Sequence, residues 1–352
     1  MMNRRLLTVY VCAMLLLTAC DNPMVFHTKV NEDGSLDRTL VLDKTDSMNV
    51  RPERNIFGIG EEKGWAVKIT QPSDSAVKSD KNKIRIEFRK HFVDADAMNA
   101  ELDLSTDTLF RVNARFEKNF RWFYTYIRYS ETIRPVQRFK MVDPNDFFNQ
   151  EDESFIRRLP AEGKHISLAD SVYLLMLNEK ISDHFGNMGI FKETYQILEE
   201  VVKNNLPDKR WLDTLQKNEE YIYKRIERDK GEHDLAEKIA DTLGIPLPKP
   251  KSTLEFQARS RDLNTRVDFM GYCRDGRYQS EIEMPWTVVH SNADSVAGQI
   301  LYWRPMLNKF VYMDYEMYAE SRRMNMWAVA VSGVVVILTG WVILRKKKWF
   351  RG

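Results

Sequence analysis

The chain has 352 residues, 43% hydrophobic and 30% charged, which suits one large domain or two ordinary ones and excludes extended disorder. Its formal net charge of +2 averages unlike regions. Setting aside Arg4 and Arg5 at the start and Arg345, Lys346, Lys347, Lys348 and Arg351 at the end reduces 53 basic and 51 acidic residues to 46 and 51, a net of −5 for residues 21–325, which argues against a nucleic-acid partner.

The first residues read as a secretory leader. Arg4 and Arg5 precede an apolar run from Leu6 to Leu17, too short for the ~20 residues that span a bilayer. Leu17-Thr18-Ala19-Cys20 resembles the bacterial lipoprotein signal. That resemblance implies removal of residues 1–19 and a lipid, diacylglycerol with palmitate-type acyl chains, on the Cys20 sulfur. Asp21 resembles an inner-membrane retention signal. Of the three cysteines, Cys12 leaves with the leader and Cys20 is acylated, so Cys273 has no intrachain partner. It is expected as a small hydrophobe in a strand, with a reactive thiol or an intermolecular bridge as the alternatives.

Residues 20–142 form the first part of a β-rich ectodomain. Met24–Asn31 and Leu36–Leu42 flank Glu32-Asp33-Gly34-Ser35, a hairpin signal. Trp65–Gln71 is a further strand, and Ile84–Val93 alternates apolar with charged residues. Asp94 is placed to cap a helix from Ala95 to Leu104. Leu109–Lys118 and Arg121–Ile133 follow as strands. The second is bulky on both faces and is predicted to be central in its sheet.

Residues 143–250 are predicted helical. Asp143-Pro144 is a helix entry, and Ser167 caps Leu168–Phe185. Phe191, Tyr195, Leu198 and Val202 recur at helical spacing, as do Trp211, Leu215, Ile222 and Ile226. Gly244 ends a last helix over Glu232–Leu243, and Pro246-Leu-Pro248-Lys-Pro250 is a stiff linker. Residues 251–325 return to strands: Val267–Arg274 and Arg277–Met284 about Asp275-Gly276, then Thr287–His290, Gln299–Trp303 and Lys309–Tyr318. The fold class expected is α+β, an antiparallel β-rich domain assembled from N- and C-terminal segments with a helical insertion. Three successive domains is the alternative.

Met284-Pro285-Trp286-Thr287-Val288-Val289-His290-Ser291-Asn292, then Gly298 and Trp303, resembles the end of the LppM-like domain of membrane-anchored bacterial lipoproteins. The hairpin Val30–Ser35 and the strand–helix step from Phe92 to Leu104 are similar too. Trp286 stands where that pattern has glycine. The resemblance implies an α+β ectodomain on a membrane and no established activity.

Residues 326–344 carry no charge and match a transmembrane helix of about 28 Å, with Trp327 and Trp341 toward its two ends and Trp349 just beyond. Arg345, Lys346, Lys347 and Lys348 open a basic tail, residues 345–352, which the positive-inside rule places in the cytoplasm. The ectodomain is then extracytoplasmic, on an inner membrane held at both ends.

Catalytic motifs are missing. No two of the six histidines stand at helical metal spacing, so neither metal nor cofactor is expected. Gly58-Ile-Gly60-Glu-Glu-Lys-Gly64 is not followed by a helix and reads as a loop. Asn31–Asp37 and Asp143–Glu153 lack the glycine and glutamate of a calcium loop. Asp94 and Asp96 are a possible acid–base pair, but Asp94 has a simpler role as a cap. The expected function is non-catalytic: an envelope lipoprotein whose helices bind another envelope protein. The alternatives are lipid handling by the β domain, with Tyr312, Tyr315, Tyr318 and Trp327 near the bilayer, and a hydrolase with a distributed site. A closed apolar cavity above ~300 Å³ in the β domain would favour lipid, and an exposed apolar patch on the helices would favour a protein.

Overall fold

The computed structural model describes residues 22–46, 56–70, 83–106, 108–229, 231–274 and 276–349. The leader, Cys20 and Asp275 lie outside them.

Two sheets enclose one core. The first has seven strands in the order β3-β4-β2-β1-β7-β10-β9. They are β1 (Asn22–Val30), β2 (Leu36–Asp46), β3 (Ala66–Thr70), β4 (Lys83–Phe92), β7 (Gly276–Glu283), β9 (Ser295–Ala297) and β10 (Ile300–Trp303). The second has four, β5 (Val112–Phe120), β6 (Tyr124–Ile133), β11 (Tyr315–Met324) and β8 (Thr287–Ser291), in the order β5-β6-β11-β8. Each sheet joins N-terminal to C-terminal strands, through β1–β7 in the first and β6–β11 in the second. Alternation aims Phe26, Leu40, Phe88, Ile127, Tyr129 and Met317 into the shared interior. β6 is central, as its two bulky faces predict.

The β1–β2 turn shows the local logic. Gly34 takes φ 96°, and the Asp33 carboxylate accepts from the Ser35 amide and hydroxyl. A Cβ on Gly34 would stand 3.0 Å from the Phe116 ring. Asp94 accepts from the Ala97 amide at 2.7 Å and opens α1 (Ala95–Leu102), as its position predicts.

The helical block comprises α2 (Gln150–Arg158), α3 (Leu168–Glu179), α4 (Asn187–Asn205), α5 (Arg210–Lys217), α6 (Glu219–Asp229), α7 (Leu235–Thr242) and α8 (Lys251–Arg274). A seven-residue π-helix, Lys180–Gly186, joins α3 to α4. Ser167 caps α3 as expected. Leu198, Val202, Leu215, Ile222 and Ile226 form a core separate from that of the sheets.

Three expectations need correction. Residues 251–274 form a helix, not the start of the second β segment, so the strand expected over Val267–Arg274 and its hairpin with Arg277–Met284 are replaced by a helix that precedes β7. Val267, Phe269, Tyr272 and Cys273 favour strands intrinsically, but Val267 packs α8 among the helices and the other three pack it against the sheets, and packing overrides propensity. The β1–β7 pair is parallel, from Asn22↔Gly276 to Lys29↔Glu283, so the seven-stranded sheet is mixed. The strand expected over Lys309–Tyr318 is instead a 3-10 turn, Leu307–Phe310, with β11 shifted to Tyr315–Met324.

The last helix, α9 (Met326–Trp349), contains 20 residues, Met326–Arg345, apolar enough to cross a membrane and with 6% buried by the rest of the chain. Asn325 alone separates it from β11. Met324 pairs with Tyr124, Arg322 pairs with Thr287, and Glu32 binds Arg323 at 2.7 Å. The β5–β6 tip, the start of β8 and the β1–β2 turn therefore share the end of the body next to α9. Tyr315↔Ile133 and Asn22↔Gly276 mark the other end, where the helical block departs.

Candidate functional site

A cavity of about 840 Å³ opens where the helical block meets the sheets. Its walls are the segment after β6 (Val136, Gln137, Phe139), the π-helix, the second half of α8 (Val267, Met270, Arg274) and the turn at Leu307–Val311. A π-helix is a wide, uncommon turn that recurs at functional sites. Gly189 is required below it, since a Cβ there would fall on the Phe139 ring. Gln137, one of the lining residues, keeps a buried side-chain oxygen without a hydrogen-bond partner. Glu179 and Asp268 set negative charge on the lining and Arg274 sets positive.

Buried charges hold the walls in place. Arg266 donates to the Arg138 carbonyl at 2.7 Å and to both Glu193 oxygens, while Glu193 accepts from the Lys140 amide at 2.6 Å. These bonds fasten α8 and α4 to the chain leaving β6. Burial, with Arg111 nearby, lowers the Arg138 pKa to about 10. Burial pushes the Cys273 thiol up to about 12, so it stays protonated and is a poor nucleophile. Cys273 is buried as expected, in a helix rather than a strand.

The outer face of α3 is bare. Leu168 (82% exposed), Val172, Leu175 (69%) and Met176 recur at the spacing of one helix face, and the ridge ends at Asn178 and Glu179 on the cavity rim. Helical periodicity located α3 in the sequence. It could not tell which apolar residues the other helices would leave uncovered.

At the α9 end, Trp327 stacks on Phe120 with ring centroids 5.9 Å apart and meets Trp122 edge-on at 5.3 Å. The other aromatics expected there are elsewhere. Tyr312 stacks on Phe148 within the helical block at 3.7 Å, Tyr315 lies opposite Ile133 at the far end, and Tyr318 pairs with Ser130 in mid-strand. The cause is the shifted β11, which starts at Tyr315, so Tyr315 and Tyr318 lie far from α9 along it and Tyr312 precedes it among the helices. At the other end of α9, the Arg345 guanidinium lies 5.0 Å from the Trp341 ring, and Lys346, Lys347 and Lys348 continue the helix.

The remaining candidates have local roles. Lys63 donates to the Gly58 carbonyl at 2.8 Å and closes the glycine loop on itself. His27, His91 and His233 pair with Glu281, Asp37 and Asp268. Among the described residues no three histidine, cysteine or acidic side chains gather as a metal site would require.

Neither a family model nor a curated protein matches the chain. Among solved structures, the NMR structure of the folded domain of Mycobacterium tuberculosis LppM matches at 6% identity and a TM-score of 0.27, covering 87% of this chain and 92% of that one. It bears the family name that the sequence motifs resemble, at a likeness too loose to carry the assignment.

Proposed function

We propose that the chain is a non-catalytic, membrane-tethered envelope lipoprotein whose helical block binds another envelope protein. The α3 ridge carries this reading. Four large apolar side chains in register on one helix face, ending at an open cavity, form the kind of surface that proteins bury against a partner. The ridge belongs to the block farthest from α9, where a second protein has room to approach. In this reading α9 crosses the inner membrane, the body lies outside the cytoplasm and Cys20 adds a lipid; the apolar helix and the basic residues that follow it support the orientation. Lipid handling by the β domain has less support. The cavity between its sheets, beside Phe26, Phe57, Trp65 and Phe110, is only about 20 Å³, against the ~300 Å³ or more of ligand pockets.

The test is a photo-crosslinking amino acid at Leu175 of the full-length protein in native membranes, with the same probe at exposed Lys203 as control. The expected outcome is a discrete heteromeric product from Leu175 alone, lost when Leu168 and Met176 become glutamate. A product of twice the chain's mass would identify a second copy as the partner, and equal patterns from both positions would reject the proposal.

A further inference from the structure

We infer that the β5–β6 hairpin tip is a second membrane-seated element, inserted beside the first turns of α9 at the boundary of lipid headgroups and acyl chains. The inference rests on reading α9 as a membrane span. Phe120 (59% exposed), Trp122 and Phe123 are large, apolar and uncovered at the tip, and Met324 and Met326 beside them are exposed too. Such a cluster on a water-facing hairpin is costly, and the adjoining apolar helix indicates what covers it.

The tip is fixed to that helix. Asn325 donates its side-chain amide to the Arg121 and Trp122 carbonyls at 2.8 and 3.2 Å and its backbone amide to the Phe123 carbonyl at 2.8 Å. Its side-chain oxygen accepts from the Thr125 hydroxyl at 2.8 Å. Beyond this clamp the Trp122 indole donates to the Ser332 hydroxyl at 2.9 Å. Ser332 lies about 9 Å along the helix axis from Met326 at 1.5 Å per residue, so the indole sits level with the second helical turn. That depth falls within the ~5–10 Å at which amphipathic elements rest in the interface. Trp and Phe suit the acyl boundary, while exposed Arg121 and Arg322 suit lipid phosphates. Two seated elements joined through one residue hold the body at a fixed tilt, where a flexible linker would let it pivot.

The experiment uses full-length protein in vesicles of phosphatidylcholine and phosphatidylglycerol brominated at stepped depths along the acyl chain. A fluorescent amino acid is placed singly at Phe123, at Val335 within α9 and at Lys203. The expected result is loss of fluorescence at Phe123 with shallow bromines, at Val335 with deep ones, and at Lys203 with neither. The vesicles hold no other protein, so quenching at Phe123 assigns the contact to lipid. Emission at Phe123 as unquenched as at Lys203, with Val335 quenched, overturns the inference alone. If Val335 also escapes quenching, the spanning reading falls and takes the hairpin with it.

Discussion

Asp152 joins three elements of the helical block. It completes the capping box of α2 with Asn149, accepts from the Tyr173 hydroxyl of α3 at 2.8 Å, and binds Lys180, the first residue of the π-helix, at 2.6 Å. Burial alone would raise its carboxyl, but Lys180, the Asn149 amide and Tyr173 outweigh that and hold it below the usual range. A depressed folded-state pKa stabilises above the unfolded value of about 3.9 and loses that contribution as pH falls through the folded value. Asp152→Asn should therefore cost about 1.5–3 kcal/mol at pH 7, the range for hydrogen bonds to charged groups. The gap to wild type should shrink toward pH 3, read as urea midpoints of the helical signal. A gap equal at both pH values would show that the charge is not what matters. At this scale the sequence is legible where partners are close in the chain: Asp94 and Ser167 announce their helices. The buried pair of Arg38 with Glu131 joins β2 to β6 across 93 positions, and no spacing rule finds it. The hairpin tip was hidden likewise, because Trp122 and Phe123 read as bulky strand residues until the turn placed them beside α9.

α8 belongs to two cores. Phe256 and Leu263 pack among the helices, while Phe269 and Cys273 pack under the sheets. This double membership is why its sequence reads as strand toward the end, and why a boundary at Pro250 would cut the block in the wrong place. Lys140 and Asp262 meet at 2.7 Å, so the chain leaves the sheets and returns to them at neighbouring points. Replacing residues 142–261 with a short Gly-Ser linker should leave a body that unfolds cooperatively, less stable for exposing Val311 and Tyr312, which pack on the helices. Excising 143–250 instead strands Phe256 and Leu263 on a stub of α8, and that product should aggregate. Near-UV circular dichroism and size exclusion distinguish the two, and a monomeric, well-packed 143–250 deletion would contradict the divided helix. The parallel β1–β7 pair was illegible for a related reason. Strands so far apart in sequence are joined by a long crossover connection, and pairing of that kind leaves no local mark.

For the whole molecule, the two proposed tethers start from opposite ends. β1 runs from Asn22, beside the helical block, to Val30, beside the turn that binds Arg323, a rise of about 26 Å at ~3.3 Å per residue. Cys20 lies two residues before Asn22 and reaches at most about 7 Å further. With α9 and the hairpin tip seated together, an upright body presents a lipid on Cys20 to a surface other than the one α9 enters. A body leaning over presents it to the same one. The proposed placement of both tethers on the inner membrane requires the leaning arrangement. In the proposed reading each tether is strong, since several acyl chains on one cysteine and a spanning helix both outlast washing. Cys20→Ser in the full-length chain, and a chain ending at Arg323 with Cys20 intact, should therefore each stay in the membrane fraction after carbonate extraction, and the two changes combined should release the protein. Density separation then reads where the lipid alone takes the body: the truncated chain should band with the same inner membrane as the Cys20→Ser chain. A truncated chain that is soluble while Cys20 is intact would remove the lipid from the account and leave α9 as the sole anchor.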